Sequence, residues 1–381
     1  MLHQKSTPAL AIAALLTLGA ASAAAPEGPR ARLIEFDAPG AATGVAPQCG
    51  ASCGTQALAN NDFGVVVGYY TDELVVPHAF VRFPSGRIVS FDAPGAGLGS
   101  YLDQGTVAYS VNDLGVIAGQ YQDPSNVFHA FIRWLDGSIL SFDAPDSGTA
   151  AFTGTLAYSM NLEGDTGGVY LDMNGQQHGF VRSRRGVIAE FDPPDSIFTL
   201  VCEETCLNSS GTATGFYADS NGVVHGFIRT HAGTITTFDG PGGLSGFGTF
   251  PASITATGEV AGYVVDSNNV AHGFVRHPDG SFAKSIDVPS AFTGQGGGTV
   301  VYAVNAAGET TGDFSDGNLA NHGFVRTADG HFALFTAPGD GGGPGQGTRP
   351  STINARGDVA GWWTDALGLN HGFVRIVCPD P

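Results

Sequence analysis

The stretch Gly115-Val-Ile-Ala-Gly119-Gln-Tyr121-Gln-Asp123, followed by His129-Ala130-Phe131-Ile132-Arg133, decides the fold because the chain writes its pattern seven times. Counting from the first glycine (Gly64, Gly115, Gly164, Gly211, Gly258, Gly308, Gly357), a second glycine follows at plus four, an aspartate at plus eight, a histidine at plus fourteen and an arginine at plus eighteen. The aspartates are Asp72, Asp123, Asp172, Asp219, Asp266, Asp316 and Asp365. The histidines are His78, His129, His178, His225, His272, His322 and His371, and the arginines Arg82, Arg133, Arg182, Arg229, Arg276, Arg326 and Arg375. Successive histidines lie 47 to 51 residues apart, the period of a multi-stranded unit rather than of a short β-helix coil.

Within the second unit, Thr106 to Val111 reads as a strand and Asn112-Asp113-Leu114-Gly115 as a turn with a glycine available for positive φ. Val116 to Tyr121, Phe128 to Trp134 and Ser138 to Phe142 supply three more strands, separated by the turns at Asp123 and at Asp136-Gly137. Four short antiparallel strands repeated in this way must bury both faces, and radial stacking meets that need. Beyond an apolar leader the chain opens with a lone strand, Arg32 to Pro39, and its last unit stops one strand short, after His371 to Arg375. Joining the two ends completes the set and hides the open edges. The expectation is one all-β domain over residues 24–381, a seven-bladed β-propeller of four-stranded antiparallel blades whose N-terminal strand closes the last blade. An open solenoid is the alternative, and it would need capping ends.

Residues 1–23 read as a signal peptide: His3 and Lys5, an apolar run from Ala9 to Gly19, and the cleavage triplet Ala21-Ser22-Ala23. That run is too short to span a bilayer comfortably, so a secreted or periplasmic monomer without membrane insertion is expected. Lys and Arg number 16 against 35 Asp and Glu, and the resulting net charge of −19 argues against nucleic acid and anionic membranes as partners. Cys49 with Cys53, and Cys202 with Cys206, read as local disulfides in the loops that lead from one unit to the next, each closing a short ring worth about 2 kcal/mol. A shared zinc site would require both pairs to converge from distant units. Cys378 is left over, free or bridging two chains.

A histidine, an aspartate and an arginine in every unit point to scaffold rather than to chemistry done once. His78, Phe80 and Arg82 alternate onto one strand face, and a histidine-to-carboxylate bond to the preceding turn, His78 to Asp72, would lock strand to turn. The aromatic two positions after the second glycine (Tyr70, Tyr121, Tyr170, Tyr217, Phe314, Trp363, with Val264 the exception) reads as core between units. No cofactor is expected. Calcium is the one ion that turns such as Asp219-Ser220-Asn221-Gly222 could hold, although no calcium loop is complete.

The phrase His78-Ala79-Phe80-Val81-Arg82, its six further copies and endings of the type Phe91-Asp92-Ala93-Pro94-Gly95 resemble the bacterial extracellular repeat family called HAF, for His-Ala-Phe. The resemblance covers residues 32–375. It implies an exported bacterial protein and carries no catalytic residues. No Gly-x-Ser-x-Gly turn, His-Glu-x-x-His helix or phosphate-binding glycine loop is present. The functional expectation is therefore a non-enzymatic binding or scaffold module for an extracellular ligand, carbohydrate or protein. Recognition is placed on the variable connections Gly40 to Gln56, Gly95 to Gly105, Asp195 to Thr205 and Gly339 to Pro350. The alternative is an enzyme acting on a carbohydrate or lactone-like substrate.

Overall fold

The seven units recur in the computed structural model, which describes residues 30–44, 53–99, 104–202, 205–243, 247–283 and 285–378. Strand β1 (Ala31–Phe36) leads. The first unit holds β2 (Gly54–Asn60), β3 (Val66–Thr71), β4 (Pro77–Arg82) and β5 (Ile88–Phe91), and the second β6 (Gly105–Val111), β7 (Ile117–Gln122), β8 (Phe128–Arg133) and β9 (Ile139–Phe142). The third holds β10 (Gly154–Met160), β11 (Thr166–Leu171), β12 (Gln177–Arg182) and β13 (Ile188–Phe191), and the fourth β14 (Ser196–Val201), β15 (Ala213–Asp219), β16 (Val224–Arg229) and β17 (Ile235–Phe238). The fifth has three, β18 (Gly248–Ile254), β19 (Val260–Val265) and β20 (Ala271–Arg276). The sixth holds β21 (Thr299–Val304), β22 (Thr310–Ser315), β23 (Asn321–Arg326) and β24 (Phe332–Phe335), and the seventh β25 (Gly347–Ile353), β26 (Val359–Thr364) and β27 (Asn370–Val377). Strand β1 pairs antiparallel with β27, from Ala31 opposite Val377 to Phe36 opposite Gly372.

The expectation of a seven-bladed propeller with four-stranded blades is corrected by this sheet structure. Among the described residues 27 strands merge into three mixed sheets of 12, 8 and 7 strands, and the fifth unit shows no outer strand. Merging follows from a glycine at the head of the inner strand. A Cβ added at Gly54 or Gly154 would stand 2.1 Å from the Asn370 oxygen or 2.0 Å from the Phe128 oxygen, so only glycine lets an inner strand touch the third strand of the preceding unit. The contact is a parallel bridge, Gly54 with Asn370, Gly154 with Phe128, Gly248 with Val224 and Gly347 with Asn321. Across it the Asn370 N–H donates to the Cys53 oxygen at 2.8 Å. Between the first and second units the donor's place is taken by Pro77, which has no N–H. Between the third and fourth, Phe198 stands where the other units have glycine, and the sheet ends there too.

The fifth unit loses its outer strand to one extra residue. His272 and the aspartate that ends the unit, Asp287, are 15 residues apart, against 14 for His78 and Asp92. Ala283 still donates to the Val275 oxygen and Ile286 to that of Gly273, but the ladder between them is interrupted.

Asparagines carry the units round to closure. Each turn between first and second strand begins with a residue whose side-chain oxygen accepts from N–H groups of its own turn, as Asn61 does from Phe63 and Val65 and Asn161 from Asp165. The amide nitrogen then donates to the next unit's turn: Asn61 to Asn112, Asn112 to Asn161, Asn161 to Asn208, and Asn208 to Thr255. Thr255 has no amide to continue, and the belt resumes from Asn305 to Asn354 and from Asn354 back to Asn61. The core lies between units. Phe80, Phe131, Phe180, Phe227, Phe324 and Phe373 of the repeated phrase are fully buried, each burial worth about 1.5–3 kcal/mol.

Candidate functional site

The repeated polar set forms a lattice on the outer strands. Each histidine Nδ1 meets the carboxylate that ends its own unit: His78 with Asp92 at 3.0 Å, His129 with Asp143 at 3.0 Å, His178 with Asp192 at 2.6 Å and His225 with Asp239 at 2.7 Å. His272 meets Asp287 at 3.0 Å, and His371 reaches Asp37 of the N-terminal strand at 3.0 Å, while His322 has Thr336 instead. The turn aspartates, on which the sequence reading placed this bond, sit farther off. Their Oδ2 atoms lie 3.4–3.9 Å from Nε2, at Asp72, Asp123, Asp172, Asp219, Asp266, Asp316 and Asp365. Their Oδ1 atoms accept from the turn's own N–H groups, as Asp219 does from Asn221 and Val223. The bond to Asp92 raises the His78 pKa against the opposing effect of burial, and His129 and His371 are raised in the same way by Asp143 and Asp37.

The arginines join one unit to the next. The guanidinium of Arg82 stands 4.8 Å from the Phe36 ring centre, Arg133 4.6 Å from Phe91, and Arg182 and Arg229 4.7 Å from Phe142 and Phe191. Arg276 and Arg375 repeat this on Phe238 and Phe335, and Arg326 lies over Phe332 of its own unit because Ile286 stands where a phenylalanine would be. The same outer phenylalanine meets the next unit's buried ring edge-on, Phe36 against Phe80 at 5.8 Å.

The disulfide Cys202–Cys206 is present, but it follows the innermost strand of the fourth unit, β14, rather than lying in the connection before it. Asp195 sits immediately before β14, so the stretch Asp195 to Thr205 is mostly strand. Nine residues separate Thr199 from Asn208, against six between Thr155 and Asn161, so the disulfide closes an insertion. Thr205 bridges to Ser253 of the next unit, and the N–H groups of Cys206 and Leu207 donate to Ser159 of the preceding one. Cys49, Glu203, Glu204 and the leader lie outside the described residues. Cys53 is buried, and Cys378 is a half-buried free thiol. Among the described residues no three His, Cys, Asp or Glu side chains converge on a metal-sized site, and no helix is long and apolar enough to cross a membrane.

A second region went unread in the sequence. Where the first and second strands of each unit face each other, one cross-strand pair differs in every unit: Gln56 with Tyr69, Val107 with Gln120, Leu156 with Val169 and Leu200 with Phe216. The remaining three are Phe250 with Tyr263, Val300 with Asp313, and Arg349 with Trp362. Members of this set from the fourth, fifth and seventh units, together with Tyr302 of the sixth, bound a cavity of about 230 Å³, with Cys202 of the disulfide in its wall. Phe216 meets Phe250 edge-on at 5.2 Å, and Phe250 stacks on Tyr263 at 5.1 Å with 14° between planes. Behind Tyr302, its hydroxyl donates to the buried Asp313 at 3.4 Å, and Arg349 Nε lies 3.8 Å from the same carboxylate. Burial pushes Asp313 up to about 6 despite Arg349, and raises Tyr302 as well.

No family model and no curated protein matches the chain. Among solved structures it is similar to a puromycin hydrolase, with 12% identity and a TM-score of 0.50 over 88% of this chain, which spans 56% of that one. It is also similar to the lectin of Aleuria aurantia described as a six-bladed β-propeller with a novel fucose recognition mode (11% identity, TM-score 0.42, 70% of this chain and 89% of that one). AofleA of Arthrobotrys oligospora matches at 12% identity and a TM-score of 0.40, over 81% of this chain and 86% of that one. Likenesses at such identities speak to fold alone, and the sheet arrangement makes this an all-β protein of repeated units.

Proposed function

We propose that the protein is an exported binding module that takes a carbohydrate in the cavity walled by Phe216, Phe250, Tyr263, Tyr302 and Trp362. One observation carries the reading: the lattice of the outer strands repeats, whereas the seven cross-strand pairs at the inner strands are all different and gather aromatic rings on one cavity. A repeated residue serves the scaffold; a site used once must be written in residues that occur once. Aromatic faces flanked by a few polar groups suit the C–H faces and hydroxyls of a sugar ring. The fucose-binding lectin among the similar folds accords with this ligand class, and the disulfide accords with an oxidising compartment outside the cytosol. The resemblance to the HAF repeats accords with export.

The test is retention of the purified chain on an immobilised panel of neutral mono- and oligosaccharides, beside Trp362→Ala and Tyr263→Ala. Retention of at least one sugar by the wild type, lost in both variants, supports the reading; retention by none, or equally by all three, overturns it. An enzymatic reading has one observation in its favour, the Asp313 carboxyl poised near pH 6 behind Tyr302. Release of product from chromogenic glycosides or lactones, abolished in Asp313→Asn, would establish it.

A further inference from the structure

In six units the histidine of the repeated phrase is covered by a ring from the strand beside it. Tyr70, Tyr121, Tyr170, Tyr217, Phe314 and Trp363 lie 4.2–5.3 Å from the imidazole centre with 22–36° between planes. In the fifth unit the residue opposite His272 is Val264. His272 is 38% exposed, whereas the other six range from 16% to 28%. Where the ring would lie there is a cavity of about 370 Å³ bounded by Val264, His272, Asp266, Pro241, Phe274 and Ser285. Ser285 on its edge turns its hydroxyl to Asp287 at 2.6 Å.

We propose that the fifth unit holds a binding site for a planar aromatic ring bearing a polar group, seated on His272 in the space that Val264 leaves. Six copies within the same chain show what the surroundings accept: a flat ring near-parallel to an imidazole whose Nδ1 is fixed by a carboxylate, or in His322 by the Thr336 hydroxyl. A space from which a ring is missing takes up a free ring of similar size. The polar group is called for because four of the six native rings are tyrosines. This site is separate from the cavity at the inner strands and does not rest on the carbohydrate reading.

Titration of the folded chain with p-cresol, indole and cyclohexanol, followed on the His272 imidazole signals, tests it. p-Cresol and indole are expected to shift those signals saturably and cyclohexanol to act at least about tenfold more weakly. Val264→Tyr, which supplies the ring in cis, is expected to abolish the response and raise the melting temperature. Trp362→Ala is expected to leave the response unchanged. A second variant, Tyr121→Val, opens the same space in the second unit, and p-cresol is expected to restore part of the melting temperature it loses. A wild-type chain unresponsive to either aromatic compound, a response that survives Val264→Tyr, or a Tyr121→Val chain that p-cresol does not restore would each overturn the proposal.

Discussion

The outer strands and the inner strands obey opposite rules. On the outside, histidine, aspartate, arginine and phenylalanine repeat, and most copies make the same contacts: His225 with Asp239, Tyr217 on His225, Arg229 over Phe191. On the inside, seven homologous cross-strand pairs share no composition, and Val300 with Asp313 sits beside Arg349 with Trp362. Repetition marks the places where units must fit one another. Variation at the inner wall lies outside the repeated histidine, aspartate, arginine and phenylalanine contacts that hold the scaffold, which leaves it open to selection for a ligand.

The sharpest way to break the comparison is to remove β1. A chain beginning at Ala38 loses the partner of β27, the Asp37 carboxylate of His371 and the Phe36 ring under Arg82. It should lose cooperative unfolding or aggregate in denaturant titration followed by light scattering. A monomer with an unchanged melting curve would show that the lattice does not need its last member.

Asp313→Asn asks what the variable wall costs. The folded pKa of about 6 lies above the ordinary 3.8, so the ionised form is disfavoured and stability falls as pH rises between the two values. The variant should be as stable as the wild type near pH 3.5 and more stable by about 3 kcal/mol at pH 8, read from urea melts at both. An equal offset at both pH values would remove Asp313 as the titrating group.

His225→Ala strands Asp239 and uncovers Tyr217, and should cost about 1–3 kcal/mol by urea titration. The smallest effect is the titration of the lattice itself. His78, His129 and His371 have raised folded values, so the stability they give is whole below pH 6.5 and fades as pH rises through those values. Asp172, Asp219 and Asp266 are held below 3.8, mainly by N–H groups of their turns, and their contribution fades as acid protonates them. Melting temperature should therefore decline on both sides of mildly acidic pH. A flat profile from pH 5 to 8 would contradict the histidine part.

The strands were readable because their punctuation is local: a turn glycine and an alternating pattern place β6 to β9 within a residue or two of where they lie. The joining of sheets was not, since it depends on a backbone oxygen of another unit standing where the Gly54 side chain would be. A signal existed in Gly54-Thr55, Gly154-Thr155 and Gly347-Thr348, pairs in which threonine accepts from the preceding unit's backbone, as Thr55 does from Ala38. The histidine's partner was misassigned because Asp72 is nearer in sequence, although Asp92 recurs just as regularly. The inner wall was illegible for a deeper reason. Positions that differ in every copy carry no shared residue type, so although Gln56, Phe250 and Arg349 each follow a Gly-Thr pair, only strand register shows that each faces a second varied residue across the sheet.

The central claim, scaffold outside and site inside, is tested most directly by measuring sugar retention and melting temperature together for Trp362→Ala and His225→Ala. The account predicts that Trp362→Ala loses retention while melting near the wild-type temperature, and that His225→Ala melts lower while its folded fraction retains the sugar in full. The reverse pattern, binding lost with His225 and kept without Trp362, would contradict it.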